Sequence, residues 1–500
     1  MLLLHRHSSA CWLLMTLSLL GSVLGLVQGE PPQPSRTPLV RVVDLNVSES
    51  QEVELCDGKK ARVKLVELEE VRDAVRSAVR EARVKVEVNG QPITLTSATY
   101  HVPVMIAGVR IDCPITRGYL KNSTDAWGLV KDARLRLWPA GSPLTAPGTF
   151  VYPVKQRWYA SDTQMANEPT FVNGDEQPSR RSIYYHYGLD FGGAEGMEDV
   201  VAATDGLVVS SGTDVLPGYK NTPARPRYDV VYVLDERGWY YRYSHMQSIE
   251  PAIRPGRRVE MGQNIGVLGK EGGSGGWSHL HFDIQARQPS GKWGTQAAYA
   301  FVWEAYRRQH GPKLVAVARP HHLAWTGQKV SLDGTRSWSE SRLRRDWTFT
   351  DGTKASGPKV ERSYARPGTY SEILKVTDDQ GRIDYDFAVV QIIDKEHPEQ
   401  LPPTIHACYY PTFGVKPGQE VTFKVRIFRT THGQEVWDFG DGSPKVTVQS
   451  EGGGGSHNPR GYAVATHRYE KPGDYVVRVE RSSELGFKAI AHLHVRVGGQ

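Results

Sequence analysis

Apolar residues along this chain fall mostly in short alternating runs closed off by glycine, proline, asparagine or aspartate, a pattern that predicts strands and turns rather than helices. Gly206-Leu-Val-Val-Ser210, Asp229-Val-Val-Tyr-Val-Leu234 and Trp239-Tyr-Tyr-Arg-Tyr243 are rich in β-branched and aromatic side chains. Asp235-Glu-Arg-Gly238 between the last two reads as a hairpin turn. Asn264-Ile-Gly-Val-Leu268 is a further strand, after the Arg254-Pro-Gly and Glu260-Met-Gly breaks. Nearer the start, Val84-Lys-Val-Glu-Val88, Asn89-Gly90 and Ile93-Thr-Leu-Thr96 read as strand, two-residue turn and strand, because Asn-Gly tolerates the positive φ of a tight hairpin. Two segments carry helical spacing. Val71, Ala74, Val75, Ala78 and Val79 recur at three- and four-residue steps within residues 67–83, and residues 296–310 predict a second helix that Gly311-Pro312 closes.

Fifty glycines and thirty-one prolines among 500 residues agree with a mainly β, turn-rich, multi-domain protein. Its C-terminal part repeats. Trp347-Thr-Phe-Thr-Asp-Gly352 returns as Trp437-Asp-Phe-Gly-Asp-Gly442, and Tyr364-Ala-Arg-Pro-Gly-Thr-Tyr370 returns as Tyr469-Glu-Lys-Pro-Gly-Asp-Tyr475. The tryptophan and phenylalanine alternate into a core while Asp-Gly and Pro-Gly set the bends. Both copies resemble the polycystic-kidney-disease (PKD) repeat, which implies immunoglobulin-like β-sandwiches acting as spacers or as modules for carbohydrate or surface protein. The copies are offset by 90 residues at the tryptophan and 105 at Pro-Gly, a difference that falls around Glu451-Gly-Gly-Gly-Gly-Ser456.

Histidine supplies the candidate chemistry. His279-Leu280-His281 follows His186-x-x-x-Asp190 and Tyr243-Ser-His245. Residues two apart on a strand share a face, so His279 and His281 can look into one cleft with Leu280 behind them. His186 and Asp190, four apart, could do the same from an extended segment. A catalytic zinc needs three such ligands and an open fourth position. The tripeptide alone is a poor signal, since His492-Leu493-His494 repeats it in a terminal strand with no His-x-x-x-Asp nearby.

The neighbourhood of the first copy is specific. His186-Tyr-Gly-Leu-Asp190-Phe-Gly, Val201-Ala-Ala-Thr-Asp-Gly206, Tyr241-Arg-Tyr-Ser-His245-Met, Arg254-Pro-Gly, Gln263-Asn-Ile-Gly266 and Ser278-His-Leu-His-Phe282 resemble, in order and spacing, the lysostaphin-like (LytM-type) zinc metalloendopeptidases that cut peptidoglycan cross-bridges. The resemblance covers about a fifth of the chain. It implies one zinc held by His186, Asp190 and His281, with His245 and His279 as the two catalytic, non-ligand histidines. Residues 213–228, with three prolines and three basic residues, exceed the compact family pattern and read as a loop at one rim of the cleft. Gly272-Gly-Ser-Gly-Gly276 reads either as a connector or as a mobile rim that lets a glycine-containing peptide approach.

The remaining features set the context. His5, Arg6 and His7 precede an apolar run over residues 13–27, the pattern of a cleaved secretory signal at 1–29, with an uncleaved membrane anchor as the alternative because the run is slightly long. Cleavage predicts a secreted or periplasmic chain with no membrane span in its mature form. Residues 30–150 read as an α+β domain of unknown role, 151–312 as a β-sheet metallopeptidase domain, and 313–396 and 397–500 as the two sandwiches. A net charge of +6 suits anionic wall polymers, and no basic run points to nucleic acid. Cys56 and Cys113 could pair in an oxidising compartment, leaving Cys408. The expected function is zinc-dependent hydrolysis of peptidoglycan peptides. The alternatives are a non-catalytic wall-binding or hydrolase-activating protein on the same fold, or a zinc peptidase acting on extracellular proteins.

Overall fold

Alternating runs pair into sheets throughout, and the computed structural model is mainly β over the residues it describes, 37–122, 124–168, 185–219, 221–452 and 461–498. The expected signal at 1–29 and most of the glycine insert after Glu451 lie outside those residues. Among the described residues no helix is long and apolar enough to cross a membrane.

A large antiparallel sheet carries the histidines. Its strand order runs Asp214–Val215, Gly206–Ser211, Val231–Leu234, Tyr240–Ser244, His279–Arg287, Leu189–Gly192 and Thr163–Gln164. Three further strands, Asp199–Val201, Asn264–Leu268 and Met246–Ile249, form a second sheet. Leu280, Phe282 and Ile284 project from one face of the His279–Arg287 strand into a core shared with Tyr241, Phe150 and Val208. The opposite face is therefore left to His279, His281 and Asp283. The expected second helix forms as Tyr299–His310, burying Phe301, Trp303 and Tyr306 in the same core. It starts at Tyr299, later than the sequence suggests, with Gln296 N–H still bonded to Ile284 O of the sheet (2.8 Å), and it ends on left-handed Gly311.

The N-terminal part corrects one expectation. Residues 67–83 are not a helix; they fall in two long paired strands, Lys60–Arg72 and Val79–Val88. Between them Asp73 accepts the backbone N–H groups of Val75 (3.0 Å) and Arg76 (2.6 Å), folding a tight turn that Ser77 completes at φ 59°. Tertiary burial of Ala61, Val63, Leu65, Val84, Val86 and Val88 at alternate positions outweighs the local three-and-four spacing. Helical structure there reduces to Arg117–Asn122, a 3-10 segment, and the single turn Thr124–Trp127. The hairpin at Asn89-Gly90 forms as expected, joining Val79–Val88 to Gln91–Ala98. Cys56 and Cys113 do not pair; all three described cysteines are free.

The repeats form two sandwiches with Trp347 and Trp437 fully buried at equivalent positions. Tyr370 Oη donates to Arg366 O and Tyr475 Oη to Lys471 O, both at 2.8 Å, so the repeated Pro-Gly-x-Tyr bend is built the same way twice. The sandwiches are joined edge to edge: Gly368–Asp378 of the first pairs in parallel with Lys488–Val497 of the second. The second His-x-His lies in this latter strand as structure. His492 Nδ1 meets Ser371 Oγ at 3.0 Å, and His494 bridges Asp384 (3.1 Å) and Asp474 (2.7 Å).

One buried acid has no counterpart to compensate it. Glu198 is fully buried, neither carboxyl oxygen has a hydrogen-bond partner among the described residues, and burial reinforced by Asp199 raises its pKa well above 4.5. A folded-state pKa above the unfolded value means stability is complete below pH 4.5 and is lost as pH climbs towards the folded value, by about 1.4 kcal/mol per unit between the two. Glu198→Gln should therefore raise the melting temperature at pH 8, with the gain shrinking towards pH 5; a difference independent of pH would contradict this.

Candidate metal centre and active site

Strand register brings the acid and the histidines together. Asp190 sits directly opposite His281 in the antiparallel pair Leu189–Gly192 with His279–Arg287, and Ser244 lies opposite His281 on its other side. His245 follows immediately, at φ 67°, where the strand leaves its ladder. His186 is not part of an extended run with Asp190, contrary to the sequence expectation. The chain bends at Gly188 and strand begins only at Leu189. That bend needs glycine, since a Cβ on Gly188 would lie 2.6 Å from His281 Cε1 and 2.8 Å from Nε2.

His186, Asp190 and His281 are buried and present ligand atoms within 4.8 Å of one another, a group able to hold a metal ion. His186 Nε2 is 3.2 Å from Asp190 Oδ1 and 2.9 Å from His281 Nδ1, which is itself 2.9 Å from the same oxygen. The second nitrogen of each ring already has a partner. His186 Nδ1 faces Met165 O at 3.3 Å, and His281 Nε2 faces Asp283 Oδ2 at 3.1 Å. A carbonyl or carboxylate on the far nitrogen fixes the tautomer that leaves the near nitrogen's lone pair for a metal. The donor set, two imidazoles and one carboxylate, matches what zinc takes with one position left open.

The two remaining histidines stand beside this group. His245 and His279 have ring centroids 4.7 Å apart, and His279 Nε2 is 3.4 Å from Asp190 Oδ2. His245 Nδ1 faces Glu271 O (2.6 Å) and His279 Nδ1 faces Trp277 O (3.1 Å), so each carries its proton there and leaves Nε2 free to accept. All five predicted residues thus meet in one place.

Electrostatics agree with a cation at the centre. Burial would raise the Asp190 carboxyl, but His186 beside it and the hydrogen bonds from the His186 and His281 rings hold it well below the usual carboxylate range. Burial works against a charged His281, yet Asp190 and Asp283 outweigh it and lift the ring to about 9. Two carboxylates around one ring favour positive charge there, which a bound metal ion would supply. Burial, reinforced by the neighbouring histidines, pushes His279 well down and His245 down, which favours neutral rings.

Several supporting residues were not singled out from sequence. Asp283 was in principle legible, two residues beyond His281 on the same strand face. Asp229 accepts the His245 N–H at 2.9 Å and is gripped by the Arg227 guanidinium, with Nη2–Oδ2 at 2.6 Å. Arg227 and Tyr228 end the long 213–228 loop, and Tyr228 Oη accepts the Gly272 N–H at 2.8 Å. The end of that loop therefore contacts the glycine-rich segment at Gly272. Trp277 stacks on His279, with centroids 4.1 Å apart and planes at 21°. No local pattern announces these last contacts.

Buried His186, Asp190 and His281 around one point, with His245 and His279 beside them, thus form a group able to hold a metal ion next to two further imidazoles. Residues 184–292, which contain all five histidine and aspartate positions, match the model of Peptidase family M23, and residues 312–392 and 406–497 match models of the PKD domain. The chain thus carries a Peptidase M23 domain followed by two PKD domains; M23 metallopeptidases generally use zinc. Among solved structures it is similar to a catalytic-domain mutant of the prophage-encoded M23 protein EnpA from Enterococcus faecalis (20% identity, 30% of this chain and 92% of that one, TM-score 0.18). It is also similar to pseudoalterin, a deep-sea M23 metalloprotease (21%, 30% and 75%, TM-score 0.19), and to Csd3 from Helicobacter pylori (17%, 49% and 82%, TM-score 0.20). At those TM-scores the assignment rests on the family models and the site.

Proposed function

We propose that this chain is an exported zinc metalloendopeptidase that hydrolyses peptide bonds in peptidoglycan stem peptides or cross-bridges. The observation that carries the proposal is the convergence of His186 Nε2, an Asp190 oxygen and His281 Nδ1, each histidine braced at its far nitrogen. Zinc bound there would polarise the scissile carbonyl and lower the pKa of water towards about 7. His186, Asp190 and His281 would hold the ion, and Asp283 would keep His281 in the ligating tautomer.

His245 Nε2 and His279 Nε2 take the proton work. A neutral imidazole accepts a proton from the attacking water, and its protonated form then donates to the departing amine or to the oxyanion. His245 is held for this by the Glu271 carbonyl and the Asp229 carboxylate, and His279 by the Trp277 carbonyl. Export is supported by the apolar leader pattern in residues 1–29 and by the PKD domains, which are typical of extracellular proteins.

The test is zinc content measured together with cleavage of purified cross-linked peptidoglycan, mass analysis of released muropeptides and a chelator control. About one zinc per chain and chelator-sensitive release of peptide-cleaved products are expected. Zinc without cleavage, also after removal of residues before about 150, would favour a binding or activating protein or an extracellular protein substrate. Absence of zinc from the purified, zinc-supplied chain would overturn the mechanism.

A further inference from the structure

The second PKD domain reaches the catalytic strand. Ser278 N–H donates to Tyr462 Oη at 2.7 Å, and Arg426 Nη1 donates to Gly276 O at 2.6 Å. His406 meets the Trp277 ring edge-on, with centroids 5.1 Å apart at 68°. Trp277 in turn stacks on His279, and its carbonyl faces His279 Nδ1. On the peptidase side Ser278 Oγ donates to Gly193 O (2.6 Å) and His279 N–H to Gly269 O (2.9 Å).

The hydrogen bonds behind Tyr462 run in one direction. Ser161 Oγ donates to Ala407 O (2.8 Å), so it accepts from His406 Nε2–H (3.0 Å). Burial lowers His406 to about 4, leaving a neutral ring whose Nδ1 accepts the Tyr462 hydroxyl proton (2.7 Å). The Tyr462 oxygen then offers its lone pairs to Ser278 N–H. Every member of the chain is satisfied, which gives the contact a defined geometry rather than a loose apposition. Space is shaped to match: a Cβ at Gly461 would meet the Arg426 guanidinium at 2.6 Å, and one at Gly192 would meet His406 Nε2 at 2.9 Å. Gly192 is two residues beyond Asp190 on the same strand.

We propose that Tyr462, with His406 and Arg426, positions the Trp277–His279 segment, so that the second PKD domain is a working part of the active site and not a spacer. The inference rests on the metallopeptidase reading for its effect on turnover, but not for the contact itself. Trp277 sets both the plane and the tautomer of His279, and Ser278 is the residue between them. Removing the acceptor for the Ser278 N–H leaves that donor buried and lets the segment drift, and a displacement on the order of 1 Å in a reacting group is enough to cost about a hundredfold in rate.

The experiment compares the full chain with Tyr462→Phe, which keeps the ring beside His406, and with Leu485→Ala, an exposed position (56%) in a turn of the same sandwich, as control. Zinc content, kcat and KM on cross-linked muropeptide, and amide hydrogen exchange of a peptide spanning residues 272–282 are read on all three. Tyr462→Phe should keep zinc at the wild-type level and KM within about twofold, lower kcat by about tenfold or more, and speed exchange within 272–282. Leu485→Ala should match the wild type. Wild-type kcat and wild-type exchange in Tyr462→Phe would overturn the proposal, as would equal acceleration in Leu485→Ala. If the wild-type chain cleaves nothing, the peptidase reading fails by itself, and exchange at 272–282 still decides the positioning.

Discussion

His281→Ala is expected to remove bound zinc and hydrolysis together, whereas His279→Ala should retain zinc and lose turnover. The two side chains share one strand face and one tripeptide, yet their surroundings differ. His281 Nδ1 lies 2.9 Å from both His186 Nε2 and Asp190 Oδ1, with its far nitrogen on Asp283, and losing it leaves only two ligands around the ion. His279 offers its Nε2 beside the cluster at 3.4 Å from Asp190 Oδ2 and is backed by a carbonyl and an indole ring, the setting of a proton acceptor. A lost general acid–base group costs about 10²–10⁴ in kcat. Metal analysis and single-substrate kinetics on both variants check this. Metal lost from His279→Ala but kept by His281→Ala would reverse the roles.

Gly188→Ala is expected to be nearly as damaging, although it adds one methyl group and touches no ligand atom by design. The new carbon would sit 2.6 Å from His281 Cε1 and 3.0 Å from Phe282 O. His281 cannot yield easily, because Asp190 and Asp283 hold its two nitrogens and Tyr240–Ser244 and Leu189–Gly192 flank its strand. The ring must tilt off the common point or the His186 segment must move away. Zinc affinity should fall by about 10–100-fold, the range seen when outer partners of metal ligands are disturbed, with the sheet content unchanged by circular dichroism. Wild-type zinc affinity and turnover in Gly188→Ala would show that the bend is more forgiving than its geometry implies.

Much of the site was legible along the chain because its signals are local. Period-two alternation set the strand carrying His279 and His281 and put Leu280 in the core, and Asp-Gly and Pro-Gly marked the bends of the repeated sandwiches. The helix expected at residues 67–83 shows the limit of that logic. Its apolar spacing fits a helix when seen alone, but two long strands bury the alternate set more fully, and Asp73 supplies a turn where a helix would have run on. The even spacing of His186 and Asp190 was likewise right in outcome and wrong in cause, since a bend at Gly188 delivers His186.

The sequence by itself therefore determined element types, the kinds of donor atom available and the order in which they arrive, all properties of a residue and its near neighbours. It could not separate His279-Leu-His281 from His492-Leu-His494 by the tripeptide alone. The neighbouring His186-x-x-x-Asp190 already set the first copy apart, and the tertiary structure supplied the physical difference, with Asp190 opposite one copy and Asp384 and Asp474 around the other. It alone also decided that Tyr462 would meet Ser278, 184 positions away, and that Asp229 would brace His245. Such contacts depend on how finished sheets pack against one another, and nothing in the local period of a strand records which distant surface will cover it.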